Sequence, residues 1–501
     1  MKGLVQRVRR VPRALLWIAL VALLNALAWG ILVPPFHVPD ENAHVAYAQY
    51  VAETGQLPQG TADGTVFSPE INRTLGALGF YGVVGRTENE PPGTEEEIAA
   101  LNSVRDRRLR RTGSGDVSSA TNNPPLYYAV EAAVYRASPS GDLLTRVALM
   151  RILSALLAAS TALLGALFVR EIVPQTTWAW VAGGLAIALQ PMLGFIGGGV
   201  NNDNMLFAAS GALLFGLARI FRRGVTPRRA VFVGLAFAIG ALAKATMIAF
   251  APAVALAFLV VLVRAGSDGR RQALRSVAAG VGAAALPIAL FVVLSGVIWD
   301  RPIWGAGAAP PPAPGDPTPA DVPARVTGTL RAQLSYTWQL FLPKLGLVTQ
   351  LHPVAHPPTD IWLNGFVGTF GWLDYGFPQW VYRVGHWLAP LVAALAALTL
   401  VRERARLHGR GLELATYALA VVGLGALIGA AGYRYWLDTG GQRFEQARYV
   451  LPLLPLYGAI VALAVRAVGR RAGPSLAAAA VVVMIGWSLY AQVLTAVRYY
   501  G

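Results

Sequence analysis

Residues 34–58 read PPFHVPDENAHVAYAQYVAETGQLP. They follow directly on an apolar run, 14–33, that is long enough to cross a bilayer. The stretch places an adjacent Asp40–Glu41 pair, then His44, where that run leaves the hydrocarbon. Ionisable groups at such a depth are costly and tend to mark function. Pro39 precedes Asp40, so Asp40 suits the N-cap of a helix that starts at Glu41. Val45, Tyr47, Ala48 and Val51 give that helix an apolar stripe. The rest of the chain reads as a membrane scaffold that presents this acidic corner.

Outward from it, the 501 residues are 55% hydrophobic and only 14% charged, in runs of membrane-spanning length. That excludes an ordinary soluble domain. The formal net charge is +16. Its Arg residues fall in short loops between apolar runs, which is the positive-inside pattern and argues against a nucleic-acid partner. The chain has no Cys, so it has no disulfide or thiol chemistry. The basic N-terminus and the first run resemble a signal peptide, but no clean small-residue cleavage site precedes Pro34, which predicts a retained first helix.

The pattern predicts an all-α polytopic membrane protein of about eleven spans, near 14–33, 147–169, 177–195, 204–221, 229–246, 247–264, 277–298, 386–401, 412–432, 448–466 and 474–494. The chain then divides into a first helix with its basic N-terminus (1–33), a first outer loop carrying the acidic motif (34–146), helices two to seven (147–298), a second large outer loop (299–385) and helices eight to eleven (386–501). Both loops are expected to carry short amphipathic helices, and the Pro/Ala/Gly-rich part at 305–323 to be flexible. Alternation from a cytoplasmic N-terminus puts Arg170, Arg222, Arg223, Arg264, Arg402, Arg410, Arg466 and Arg470 inside. It puts the acidic corner, the turn near 196–203 and the turn 433–447 together on the outer face.

Four stretches of that outer face could carry chemistry. Asp40 is either a helix cap or a general base for a hydroxyl, with Glu41 supporting it. His44, one turn on, is either an interfacial histidine or a contact for phosphate, a carboxylate or a metal. In GGGVNNDNM (197–205), either Asp203 or Asn202 caps the fourth span, or the turn sits beside Asp40 and contributes a second carboxylate for acceptor, sugar or metal. Lys244, in GLAFAIGALAKATMIAFAP (234–252), either snorkels to headgroups or holds a lipid phosphate. Arg448, with Tyr449 beside it in QARYVLPLLP (446–455), has the fork geometry that matches a phosphate.

The order of these pieces is more specific than any one of them. An apolar helix, PDENAHVAYAQYVAETGQLP, NNPPLYY (122–128), the Asn/Asp turn, GLAxxxGxLAKxT and QARYxLPLLPL together resemble the GT-C class of membrane glycosyltransferases. Aminoarabinose-lipid-A transferases and protein O-mannosyltransferases belong to that class. The resemblance implies a GT-C-like bundle and an inverting transfer from a polyprenyl-phosphate-linked sugar to a lipid, glycan or protein hydroxyl, outside the cytoplasmic membrane. It implies Asp40 as the catalytic acid, beside which the residues themselves offer Glu41. It matches Lys244 and Arg448 to phosphate contacts and Asp203 to a second acidic position; His44, Asn202 and Tyr449 join them as substrate contacts from the reading of the residues. No DxD or ExD is present, and no cofactor is required by the pattern. A divalent metal, if used, would fall to Asp40, His44 and Asp203. A transporter or flippase of lipid-linked sugars is the alternative, expected to show two similar halves and interrupted helices; no such symmetry is visible.

Overall fold

The computed structural model describes residues 12–58, 67–105, 109–113, 120–139, 141–299, 329–346, 350–439 and 443–501. The N-terminal Arg cluster through Arg10 and the Pro-rich segment 305–323 lie outside the described residues. The principal helices, in chain order, are α1 (Arg13–Leu32), α2 (Glu41–Thr54), α3 (Leu126–Ala137), α4 (Leu143–Ile172), α5 (Thr177–Ala188), α6 (Pro191–Gly197), α7 (Asp203–Arg223) and α8 (Pro227–Ala243). They continue with α9 (Ala251–Arg264), α10 (Ser267–Ile298), α11 (Leu330–Phe341), α12 (Gln379–Arg402), α13 (Gly411–Asp438), α14 (Leu454–Arg466) and α15 (Gly469–Tyr500). Three-ten turns at Ala245–Phe250 and Ala447–Leu453 lead into α9 and α14. Among the described residues the only strands form one two-residue antiparallel pair, Thr369–Phe370 with Tyr375–Gly376.

Among the described residues, nine helices are long and apolar enough to cross a membrane, or ten if the bent pair α5–α6 counts as one span. The fifth expected span, 229–246, is present as the seventeen-residue α8, which ends at Ala243. The bend of 49° between α5 and α6 has a local cause. Pro191 opens α6 where its missing N–H costs nothing, and the Gln190 side chain accepts from the Leu193 N–H at 2.7 Å. Close helix contact in lipid relies on small residues. A Cβ on Gly183 of α5 would lie 2.3 Å from the Gly458 carbonyl oxygen of α14, so those two backbones nearly touch.

The basic loops gather at one end of the bundle. Arg222 donates to Glu413 at 2.9 Å, Arg223 donates to Glu171, Arg264 reaches the Gly409 carbonyl, and Arg466 pairs with Glu403. At the other end α1 gives way to a turn at Pro34 and then to α2. Here α2 packs on α3, with the Tyr47 and Tyr128 rings stacked at 3.7 Å. Gln49 completes this layer by donating to Glu70 and Tyr135 and accepting from Ser68.

One buried ion pair fixes how this layer meets the bundle. Arg151 of α4 donates to both oxygens of Glu41, at 2.8 and 2.6 Å. Its other N–H groups reach the carbonyls of Gly30, Val33 and Pro34. Glu41 also accepts from the backbone N–H of Phe36 and of Val200. The end of α1, the start of α2, the turn before α7 and the N-terminal part of α4 are thus tied at one point.

Candidate active site at the end of the bundle away from the basic loops

Asp40 occupies the N-cap position of α2, but its backbone is left-handed, with φ +62° and ψ 8°. An ordinary N-cap is extended and turns its side chain back on the helix. Asp40 makes no such side-chain cap. Its carboxylate instead accepts from Arg448 Nη2 at 2.5 Å, across 408 residues of sequence. A non-glycine residue held at positive φ stores strain of about 1 kcal/mol or more, and such residues concentrate at functional sites. The Pro39 carbonyl just before it accepts from Asn201 Nδ2 at 3.0 Å and from Arg448 Nη1 at 3.4 Å.

A second pair stands beside the first. Lys244 sits where α8 ends, in extended backbone before the Ala245–Phe250 turn, and its Nζ donates to Asp203 Oδ1 at 2.6 Å. Asp203 opens α7. Its other oxygen lies 3.8 Å from Arg448 Nε, which links the two pairs. Asp203 and Arg448 are buried, with side chains 2% and 5% exposed, while Asp40 and Lys244 keep 25% and 19%. The cluster is therefore reachable at one acid and one cation. Tyr449 covers it, its ring 5.4 Å from Lys244 Nζ and 5.4 Å from the Arg448 guanidinium, and is itself stacked on Phe444. Burial pushes the Asp40 carboxyl up, but the charge of Arg448 and its hydrogen bond more than offset this and hold Asp40 below its ordinary range. It stays ionised at neutral pH.

The three asparagines around Asp203 explain why remote segments meet here. Asn201 reaches the Pro39 carbonyl, Asn202 reaches the Ala243 carbonyl at 2.9 Å, and Asn204 reaches those of Ile196 and Gly199. Gly199 lets Val38 close on this turn, since a Cβ there would lie 2.5 Å from the valine side chain. Each amide satisfies a backbone carbonyl that has no water to turn to.

Two of the site residues expected from the sequence are placed differently. Glu41 does not join Asp40. It is fully buried and spent on Arg151, because the left-handed Asp40 turns the two neighbours in different directions. Asn202 is fully buried, and its Nδ2 ties down the end of α8. Asp203, Lys244, Arg448 and Tyr449 gather around Asp40. His44 stands close enough for Asp40, Lys244, Arg448 and Asp203 to act on it electrostatically, and its Nδ1 lies 2.9 Å from the Tyr128 hydroxyl. Arg151 is the residue the sequence reading passed over; an arginine inside the run ALMRILSALL was its signal.

A cavity of about 740 Å³ approaches the cluster from one side, reaching Pro39 and Arg448 past Met192, Ile196, Asp360 and Gln446. No group of three or more His, Asp or Glu side chains among the described residues is arranged to hold a metal ion. Asp40 and Asp203 are each turned to a cation instead.

Residues 23–457 match the family described as predicted membrane protein DUF2142. No curated protein sequence matches the chain. Among solved structures, ArnT from Cupriavidus metallidurans bound to undecaprenyl phosphate is similar with a TM-score of 0.43 and 12% identity, over 90% of this chain and 60% of that one. The apo oligosaccharyltransferase of Archaeoglobus fulgidus gives a TM-score of 0.40 at 13% identity, over 97% and 56%. The same enzyme tethered by a disulfide to an acceptor peptide containing the NVT sequon gives 0.39 at 13%, over 97% and 55%. The chain thus spans between 55% and 60% of the length of these structures.

Proposed function

The chain belongs to the DUF2142 family of predicted membrane proteins, and for this member we propose glycosyl transfer from a polyprenyl-phosphate carrier to an acceptor hydroxyl at the outer face of the cytoplasmic membrane. The observation that carries the reading is the meeting of Asp40–Arg448 and Asp203–Lys244 in one half-open cluster at the end of the bundle away from the basic loops. Transfer from a lipid phosphate needs a base for the acceptor, cations for the departing phosphate, and a site level with the carrier's headgroup. The cluster supplies an acid and two cations, and its place at the end of the bundle away from the basic loops suits the third.

In this mechanism Asp40 accepts the acceptor's hydroxyl proton as that oxygen bonds to the sugar C1. The C1–O bond to phosphate breaks, and its electron pair leaves on the phosphate, which Arg448 and Lys244 stabilise. Attack from the face opposite the leaving group inverts C1. A carboxylate bonded to Arg448 is a weak base. A phosphate that competes for Arg448 loosens that bond and raises the basicity of Asp40 when donor is present. Tyr449 holds the two cations on its ring face. No step in this reading uses a metal; a divalent ion, if one took part, would call on Asp40, His44 and Asp203, and both of those aspartates are paired with cations here.

The test uses the full chain in proteoliposomes with undecaprenyl-phosphate-linked radiolabelled hexoses. Expected is release of undecaprenyl phosphate with the wild type, loss of release with Asp40→Asn, and weakened binding of the lipid with Arg448→Ala or Lys244→Ala. Full release by Asp40→Asn removes Asp40 as the base. Movement of intact donor across the bilayer with no release would make the protein a transporter.

A further inference from the structure

The cavity of about 740 Å³ falls within the size range of small-molecule sites. Four separate stretches build its wall: Pro39 before α2, Met192 and Ile196 of α6, a part of 353–373, and residues 443 and 445–448. Among the described residues the wall takes in Arg448 but neither Lys244 nor Tyr449. The cavity thus meets the cluster through the hydrogen-bond partner of Asp40 and through the residue before it.

The wall segments are tied together from behind. The Gln190 side chain donates to the Phe366 carbonyl at 2.9 Å, which joins the start of α6 to the segment that carries Gly365. A Cβ on Gly365 would lie 2.5 Å from that of Ala447, so these two stretches of wall are in close contact. The Glu445 side chain is sealed from solvent; it accepts from the Tyr336 hydroxyl at 2.6 Å and stands 3.5 Å from His352 Nε2. His352 Nδ1 in turn accepts from the N–H of Val354, another wall residue, at 3.2 Å. Leu373 departs from this economy. It is 43% exposed and held at φ +66°, a strained conformation for a bulky residue, and folding gains little from a leucine left open at a cavity wall.

These groups select a class of ligand. Glu445 and Arg448 are already engaged, and the remaining charges, Asp360 and Arg443, are exposed and opposite in sign. The wall therefore favours neither an anion nor a cation. Donors and acceptors on Arg443, Asp360 and Gln446 stand beside apolar Ile361 and Leu373. A sugar ring offers the complement: hydroxyls that donate and accept around its rim, and C–H groups on its faces. An extended peptide would call for a free strand edge, whereas the only strands among the described residues are two residues long and paired with each other.

Resting on the glycosyl-transfer reading, we propose that this cavity is the acceptor subsite and that the acceptor is a neutral saccharide, held by Asp360, Arg443 and Gln446 against Leu373. Its reactive hydroxyl lies at the Arg448 end, beside Asp40, to which the proton passes as the oxygen bonds to C1.

The test presents the full chain in nanodiscs to an array of defined neutral and acidic oligosaccharides, then measures transfer from undecaprenyl-phosphate-linked radiolabelled hexoses in proteoliposomes. Expected is binding of neutral oligosaccharides that persists with saturating undecaprenyl phosphate, and label on the sugars that bind. Asp360→Ala and Arg443→Ala each remove a charged hydrogen-bonding group from an exposed position, so each should weaken sugar binding about tenfold and leave undecaprenyl phosphate affinity unchanged. Leu373→Gly relieves the left-handed strain; it should raise the thermal midpoint and still lower sugar affinity. Binding of no oligosaccharide, binding of acidic ones alone, competition with undecaprenyl phosphate, bound sugars that take no label, or unchanged sugar affinity in all three variants overturns the acceptor cavity, while release of undecaprenyl phosphate by the wild type keeps the transfer reading. A wild type that neither binds nor releases undecaprenyl phosphate overturns both.

Discussion

At the scale of one residue, Asp40 combines a strained backbone with a remote partner. Its carboxylate is oriented by φ +62° as much as by Arg448. A methyl group at positive φ costs roughly 1 kcal/mol more than glycine. Asp40→Gly should therefore unfold later than Asp40→Ala by about that amount, although both lose the pair to Arg448. Thermal unfolding of the two variants in nanodiscs measures it, and an Ala variant as stable as the Gly one would show that the turn relaxes. The sequence makes Asp40 conspicuous, since an acid at the end of an apolar run is rare. It does not show the left-handed turn, because Asp tolerates both cap and αL conformations. Adjacency accordingly suggested a working pair with Glu41, whereas the chain turns the two apart.

At the scale of the element, the decisive contact is Glu41–Arg151, which joins α1, α2, α4 and the turn before α7. Breaking a buried pair from one side leaves an uncompensated charge and costs about 3–5 kcal/mol, while replacing both partners with apolar groups costs far less. Glu41→Leu and Arg151→Met should each lower the thermal midpoint sharply, and the double variant should recover much of the loss. If the single losses simply add, the two side chains do not form one clamp. Spans were readable because apolar length is written along the chain. The trio Asn201, Asn202 and Asn204 was not, since a sequence shows three amides but not the three carbonyls they reach. Arg151 lay between: its cost in an apolar helix is visible, its partner is not.

At the scale of the whole molecule, the end of the bundle away from the basic loops carries two histidines that stay neutral when folded. His37 is lowered to about 3 by burial, with Arg151 and Arg498 adding to the fall, and His44 to about 4. The unfolded chain, with ordinary values of 6.5, takes up these protons first. The stability they contribute is complete above that value and is lost as pH falls through the folded values, by about 2 kcal/mol apiece at pH 5. The thermal midpoint should drop between pH 7 and pH 5, and less so in His37→Asn; a flat profile would contradict the burial of these rings. The fold class, with its segments in order along one face, could be read from hydropathy and loop charge. That the four stretches touch could not, because nothing along the chain records distance across it. The evenly matched charges of the cluster also bear on turnover. A sugar–phosphate diester brings one negative charge, while the liberated monoester carries nearly two. In the proposed transfer, proton capture by Asp40 would leave the cluster one charge positive and able to hold that product; loss of the proton to water would restore neutrality and expel the spent carrier, so that each cycle would clear its own exit.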